Sequence, residues 1–112
     1  MPLASSDPGY WCCARLQAGR ERLALNLLKL GGFETYYPIV RALKRSPAGR
    51  RFEDSVGLFG VYGFVLIQSR WYDVRWGPGV AGVILAADGR PARVGDEVIA
   101  ALRGREDENG YI

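Results

Sequence analysis

The 112 residues are 48% hydrophobic and 24% charged, with a net charge of +3 and a pI near 9.1, which fits one ordinary globular domain able to bury a core and basic enough to tolerate nucleic acid without demanding it. Histidine is absent and the only cysteines are the neighbours Cys12 and Cys13, so the commonest general base and metal ligand are missing, and the thiols read as small apolar fillers in a reducing compartment. No apolar run reaches membrane-spanning length and the N-terminus lacks a secretory pattern, so a cytoplasmic chain is expected, with no membrane, metal or cofactor.

Residues 1–9, rich in Pro, Ser and Ala, read as a flexible leader. Residues 10–105 read as the folded domain. Tyr10 to Leu16 is a short, nearly all-apolar strand. Its exception, Arg15, has to reach a carboxylate, snorkel at an edge, or emerge on a face left open. After a turn at Gln17-Ala18-Gly19, Arg20 to Leu30 is an amphipathic helix with Leu23, Leu27 and Leu30 on the buried side, Ala24 and Leu28 beside them, and Gly31-Gly32 as its stop. Phe33 to Arg41 is extended, and Pro38 places it at an edge or a bulge. Arg41 to Arg51 then carries Arg41, Lys44, Arg45, Arg50 and Arg51 without an acid around Ser-Pro-Ala-Gly, the pattern of an exposed β-hairpin tip. Such a tip either keeps edges apart or touches phosphate.

Gly57 to Ile67 holds no charge and is rich in β-branched and aromatic residues, so it reads as one central strand. Alternation sends Val61, Val65 and Ile67 to one face and Tyr62, Phe64 and Leu66 to the other. Both faces are apolar, so each needs a cover, supplied by the chain or by a partner. Ser69 is placed to cap a short helix over Arg70 to Trp76, which Gly77-Pro78-Gly79 ends. Val80 to Leu85 is a further strand. Asp96 to Arg105 is a last helix, with acids at its positive end and arginines at its negative end, burying Val98, Ile99 and Leu102. Residues 106–112 read as the start of a polar linker.

Strand, helix, hairpin, helix, strand, helix is the order of an α+β domain. The expected architecture is a two-layer split βαβ (ferredoxin-like plait), with a four-stranded, mainly antiparallel sheet and about three helices. No catalytic set emerges: the carboxylate pairs Glu53-Asp54 and Asp96-Glu97 fall outside any apolar pocket, no serine has a histidine, and Gly57, Gly60 and Gly63 lie in a strand and not at a phosphate-cradling helix start. The chain is expected not to be an enzyme.

These residues resemble the N-terminal (NGN) domain of the NusG and RfaH transcription factors from about Trp11 to Leu102. The resemblance is carried by Trp11 with Gly19-Arg20-Glu21, by Tyr37-Pro38, and by Leu58-Phe59-Gly60-Val61-Tyr62-Gly63-Phe64-Val65. It continues through Trp71, Val74-Arg75, Gly79-Val80 and Val83-Ile84 to Pro91, Val94, Asp96 and Val98-Ile99. In the family a proline usually follows the phenylalanine; here Gly60-Val61 follows Phe59. The resemblance implies a monomeric binding domain that docks on the clamp helices of the largest RNA polymerase subunit and favours processive elongation and antitermination. The positions matching its apolar dock are Phe59, Tyr62 and Phe64, with Arg15 on the neighbouring strand. It implies that Arg70 and Arg75 lie toward the second jaw or the non-template strand, near upstream DNA. It also implies a C-terminal KOW barrel beyond residue 112, which recruits Rho or a ribosomal protein and is not part of this sequence.

Two other readings stand beside this one. An RRM-like module would stack single-stranded nucleic acid on Tyr62 and Phe64 or bind it through Lys44, Arg45, Arg50 and Arg51. A purely structural fragment would cover its aromatic face with its own last helix. On the docking reading, Tyr62→Ala and Phe64→Ala leave the fold intact and abolish co-elution with polymerase core. The exposure of those two rings separates docking from self-cover.

Overall fold

The computed structural model describes residues 9–112, so the expected leader lies outside the described residues except for Gly9. The chain runs β1 (Tyr10–Leu16), α1 (Glu21–Leu30), β2 (Glu34–Tyr36), β3 (Ile39–Arg45), β4 (Arg51–Gly57), β5 (Tyr62–Ile67), α2 (Trp71–Arg75), β6 (Val80–Val83) and α3 (Asp96–Gly104). Four strands form one sheet in the order β2-β5-β1-β6, and every pairing in it is antiparallel. The β3 and β4 arms form a separate two-stranded sheet, from Ile39↔Gly57 to Arg45↔Arg51. With this hairpin projecting, the molecule measures 58 × 29 × 28 Å.

One sheet face packs under α1 and α2. Cys12, Ala14, Leu16, Val65 and Ile67 meet Ala24, Leu25, Leu28, Trp71 and Val74 there. The buried side of α1 is therefore Ala24, Leu25 and Leu28, whereas the expected Leu23 and Leu30 are exposed. Five leucines spread around ten residues leave more than one apolar stripe, and close backbone approach selects among them. A Cβ on Gly79 would lie 2.9 Å from that of Ala24, so only a small side chain fits on each side of this contact. Ser69 makes no cap: α2 follows Arg70, whose Nε donates to Asp73 Oδ2 at 3.0 Å across the first turn.

The opposite face is covered in part as well, so helices lie on both sides of the sheet and the expected two-layer arrangement is not what is observed. The helix α3 crosses this face, burying Ile99 and Leu102 against Trp11 and Phe64, while Val98 is exposed. Arg103 pins the helix down. It pairs with Glu34 at 3.4 Å and lies over the rings of Tyr36 and Trp11.

The apolar run 57–67 is not one strand. Gly57 ends β4, a turn follows, and β5 starts at Tyr62. Gly60 takes φ +65, a conformation glycine adopts without strain. Gly57 lies against Tyr37, where an added Cβ would sit 2.2 Å from the hydroxyl oxygen. The turn lets the hairpin return into the sheet.

Residues 106–112 fold back on the hairpin root. Tyr36 donates its hydroxyl proton to Glu106, Ile112 N donates to Ile39 O at 2.9 Å, and Arg41 pairs with Asp107 while lying over the Tyr111 ring. Ile112 packs on the α3 cluster.

Candidate docking surface

The register of β1 with its neighbours builds the surface row by row, because residues directly opposite in antiparallel strands share a face. Leu66 and Trp11 form one row, Phe64 and Cys13 the next, and Tyr62, Arg15 and Gly82 the last. The helix α3 covers the first and reaches Phe64 in the second. The last row stays bare. Tyr62 is 37% exposed, Arg15 is exposed, and a Cβ on Gly82 would meet nothing within 4 Å.

Phe59 leans over the border between the covered and bare rows. It sits in the turn before β5, is 44% exposed, and meets Phe64 edge-on with 5.9 Å between ring centroids. Exposed Leu58 precedes it, and exposed Ile84 follows β6, its amide donating to Cys13 O at 2.9 Å. Among the described residues Arg15 makes no ion pair. Of the readings open for it, emergence on an open face is the one observed.

Phe64 is the correction. It is only 8% exposed, stacked near Tyr36 and sealed by Ile99 and Leu102. Its side chain holds the fold and is not offered to a partner, so Phe64→Ala is not the fold-neutral variant expected from alternation alone. Sequence periodicity gives the face but not how far along it a helix reaches. The self-cover reading is thus correct for Phe64 and incorrect for Tyr62. A sheet stacking bases on both rings is excluded by the same burial. Gly82 and Ile84 were missed as surface residues, because only the β1–β6 register shows that Gly82 extends the bare row and Ile84 the Cys13 row beside it.

The cations sit on two different elements. On α2, Arg70 pairs with Asp73 and lies over the Phe33 ring, and Arg75 lies over Trp76. On the hairpin, Lys44 pairs with Asp54 at 3.1 Å, whose carboxyl is held below its ordinary range by that lysine and by the Ser55 amide. Arg45, Arg50 and Arg51 have no ion pair among the described residues.

Both thiols are shifted away from the reactive thiolate. Burial pushes the Cys12 thiol up to about 12, with the neighbouring Cys13 adding to it, and burial also raises Cys13. Neither is the activated thiolate that nucleophilic chemistry needs. Among the described residues no cluster of His, Cys, Asp or Glu is arranged to hold a metal, and no helix is long and apolar enough to cross a membrane.

No curated protein matches the chain. The model of a family described as transcription termination factor nusG matches residues 9–103, from the start of β1 to the last turn of α3. A match that takes in every element built above, bare row and projecting hairpin included, shows that the chain belongs to the NusG family, the non-enzymatic transcription elongation and termination factors that act with RNA polymerase.

Proposed function

We propose that this domain docks on the clamp helices of the largest RNA polymerase subunit through Phe59, Tyr62 and Arg15, and in doing so promotes processive, antiterminated elongation. The observation that carries the reading is the bare row at the end of the α3-covered face. Two half-exposed rings beside an arginine without an ion pair form the aromatic–arginine grouping that anchors protein interfaces. A coiled-coil tip presents apolar side chains to the rings and carboxylates or helix-end carbonyls to the guanidinium. Phe64 takes part from beneath, as the wall against which Phe59 stands. The strand order β2-β5-β1-β6 supports the split βαβ plait, since β5 lies between β1 and β2 and β1 lies between β5 and β6. Arg75, beside exposed Trp76, is assigned to the second jaw or nearby non-template DNA, with Arg70 held in place next to it.

The test is co-elution of the purified chain with polymerase core and with the isolated clamp-helix segment. Wild type is expected to bind both. Tyr62→Ala, Phe59→Ala and Arg15→Ala are each expected to bind neither while melting close to wild type. Retention of both complexes by Tyr62→Ala overturns the assignment.

A further inference from the structure

We propose that the tip of the β3–β4 hairpin is a binding site for single-stranded polynucleotide, gripped by Arg45, Arg50 and Arg51 at its phosphates and by Phe52 at a base. This does not rest on the polymerase reading, since the tip and the bare row are separate surfaces.

The first observation is a local conflict. Arg45 and Arg51 are direct cross-strand partners, and like charges facing each other across a ladder destabilise it. Arg50 adjoins them, with its amide bound to Ser46 Oγ at 3.1 Å and Gly49 at φ +84 closing the turn. From Thr35 to Phe52 the sequence contains no acid. Elsewhere the molecule neutralises its hairpin cations: Lys44 has Asp54, and Arg41 has Asp107. At the tip it does not. A repelling pair kept without compensation points to an anion that bridges it from outside.

The second observation chooses the anion. Each seven-residue arm reaches ~23 Å, which lifts the tip off the sheet and lets a chain pass over it. Phe52 is 43% exposed and opposite Lys44, so it lies on the other face of the hairpin from the Arg45–Arg51 pair. A flexible strand passing around the tip meets the arginine pair on one face and the ring on the other; the ring suits bases that are free to stack and adds nothing toward a duplex whose bases are already stacked. Glu53 and Asp54 follow at once, so the contact stops at the tip, and about three phosphates are engaged. No group there is placed to read a ribose 2′-hydroxyl, so single-stranded DNA and RNA are expected to bind alike.

Fluorescein-labelled dT15 and U15, titrated with the purified chain without polymerase, test this. Three phosphate contacts on a single strand give a log–log salt slope of about −2, a loss of roughly 20-fold between 50 and 200 mM salt. The triple variant Arg45→Gln, Arg50→Gln, Arg51→Gln is expected to abolish binding with its melting temperature unchanged or raised. Phe52→Leu is expected to weaken binding at least about fivefold, and Tyr62→Ala to leave it intact. The proposal is overturned if neither oligonucleotide binds at 50 mM salt or if a 15-base-pair duplex binds more tightly. It is overturned too if Tyr62→Ala rather than the tip variant loses binding. A tip variant that keeps oligonucleotide binding but loses polymerase makes the hairpin a protein contact instead.

Discussion

Phe64 and Tyr62 lie two residues apart on the same face of β5, yet their truncation is expected to have opposite consequences. Phe64 sits between the rings of Tyr36 and Phe59 and beneath Ile99 and Leu102, with 8% of its surface exposed. Phe64→Ala leaves a cavity beneath Ile99 and Leu102, so the expected loss is about 3–5 kcal/mol. Small domains hold only about 5–15 kcal/mol, so this variant melts on the order of 15–30 °C lower. Tyr62 is 37% exposed and faces Arg15 and solvent. Tyr62→Ala is expected to cost about 1 kcal/mol or less of stability while weakening polymerase binding at least about 30-fold, the loss of a central aromatic anchor. Calorimetry and co-elution on both variants give four numbers. Equal melting losses, or polymerase binding lost only in proportion to unfolded protein, refute the division of this face into a structural and a docking half.

Three further substitutions or conditions probe the same structure. Gly82→Glu places a carboxylate in the open space of the bare row and is expected to leave the melting temperature within a few degrees while preventing co-elution with polymerase; retained binding removes β6 from the interface. Gly57→Ala drives a methyl into Tyr37, whose hydroxyl donates to Gly60 O at 2.7 Å, and is expected to cost about 1–3 kcal/mol, read as a lower urea midpoint. Because the Cys12 thiol stays neutral in the fold up to about 12, against 9.0 when unfolded, its contribution is complete below pH 9 and falls as pH rises through that window. The loss from this thiol, about 1 kcal/mol between pH 9 and 10, is expected to be absent in Cys12→Ala, leaving the smaller part due to Cys13, and a thiol reagent at pH 8 is expected to reach Cys13 before Cys12.

The sequence made some elements plain for physical reasons that do not depend on tertiary context. An acid-free, cation-rich stretch around Ser46-Pro47-Ala48-Gly49 between Pro38 and Phe52 announces a hairpin because local chemistry alone shapes it. Acids at the start of α3 and an arginine in its last turn follow the helix dipole. What could not be read were the choices made by packing. The α1 leucines offered several stripes, and Gly79 decided between them. The run 57–67 looked continuous because apolarity does not reveal that Gly60 takes positive φ. The polar composition of residues 106–112 suggested a linker, but Tyr36, Ile39 and Arg41 supply partners that hold those residues in place. Nothing within the segment itself signals those distant contacts.

The placement of α3 along the strands is what the site depends on. The helix spans nine residues, about 14 Å at the helical rise, and the face it crosses carries three rows of β5 side chains, Leu66, Phe64 and Tyr62. The helix starts beside Trp11 and ends beside Glu34 and Tyr36, so it runs across the strands over the first two rows; a cover placed on the Tyr62–Arg15–Gly82 row would make Arg15 a buried charge lacking an acid among the described residues, a costly arrangement. The arginine in an otherwise apolar strand is consistent only with a cover that stops short. Arg15 therefore records in the sequence where the chain's own packing ends, and Phe59, held by Phe64 on one side and open on the other, marks the same boundary from the turn before β5.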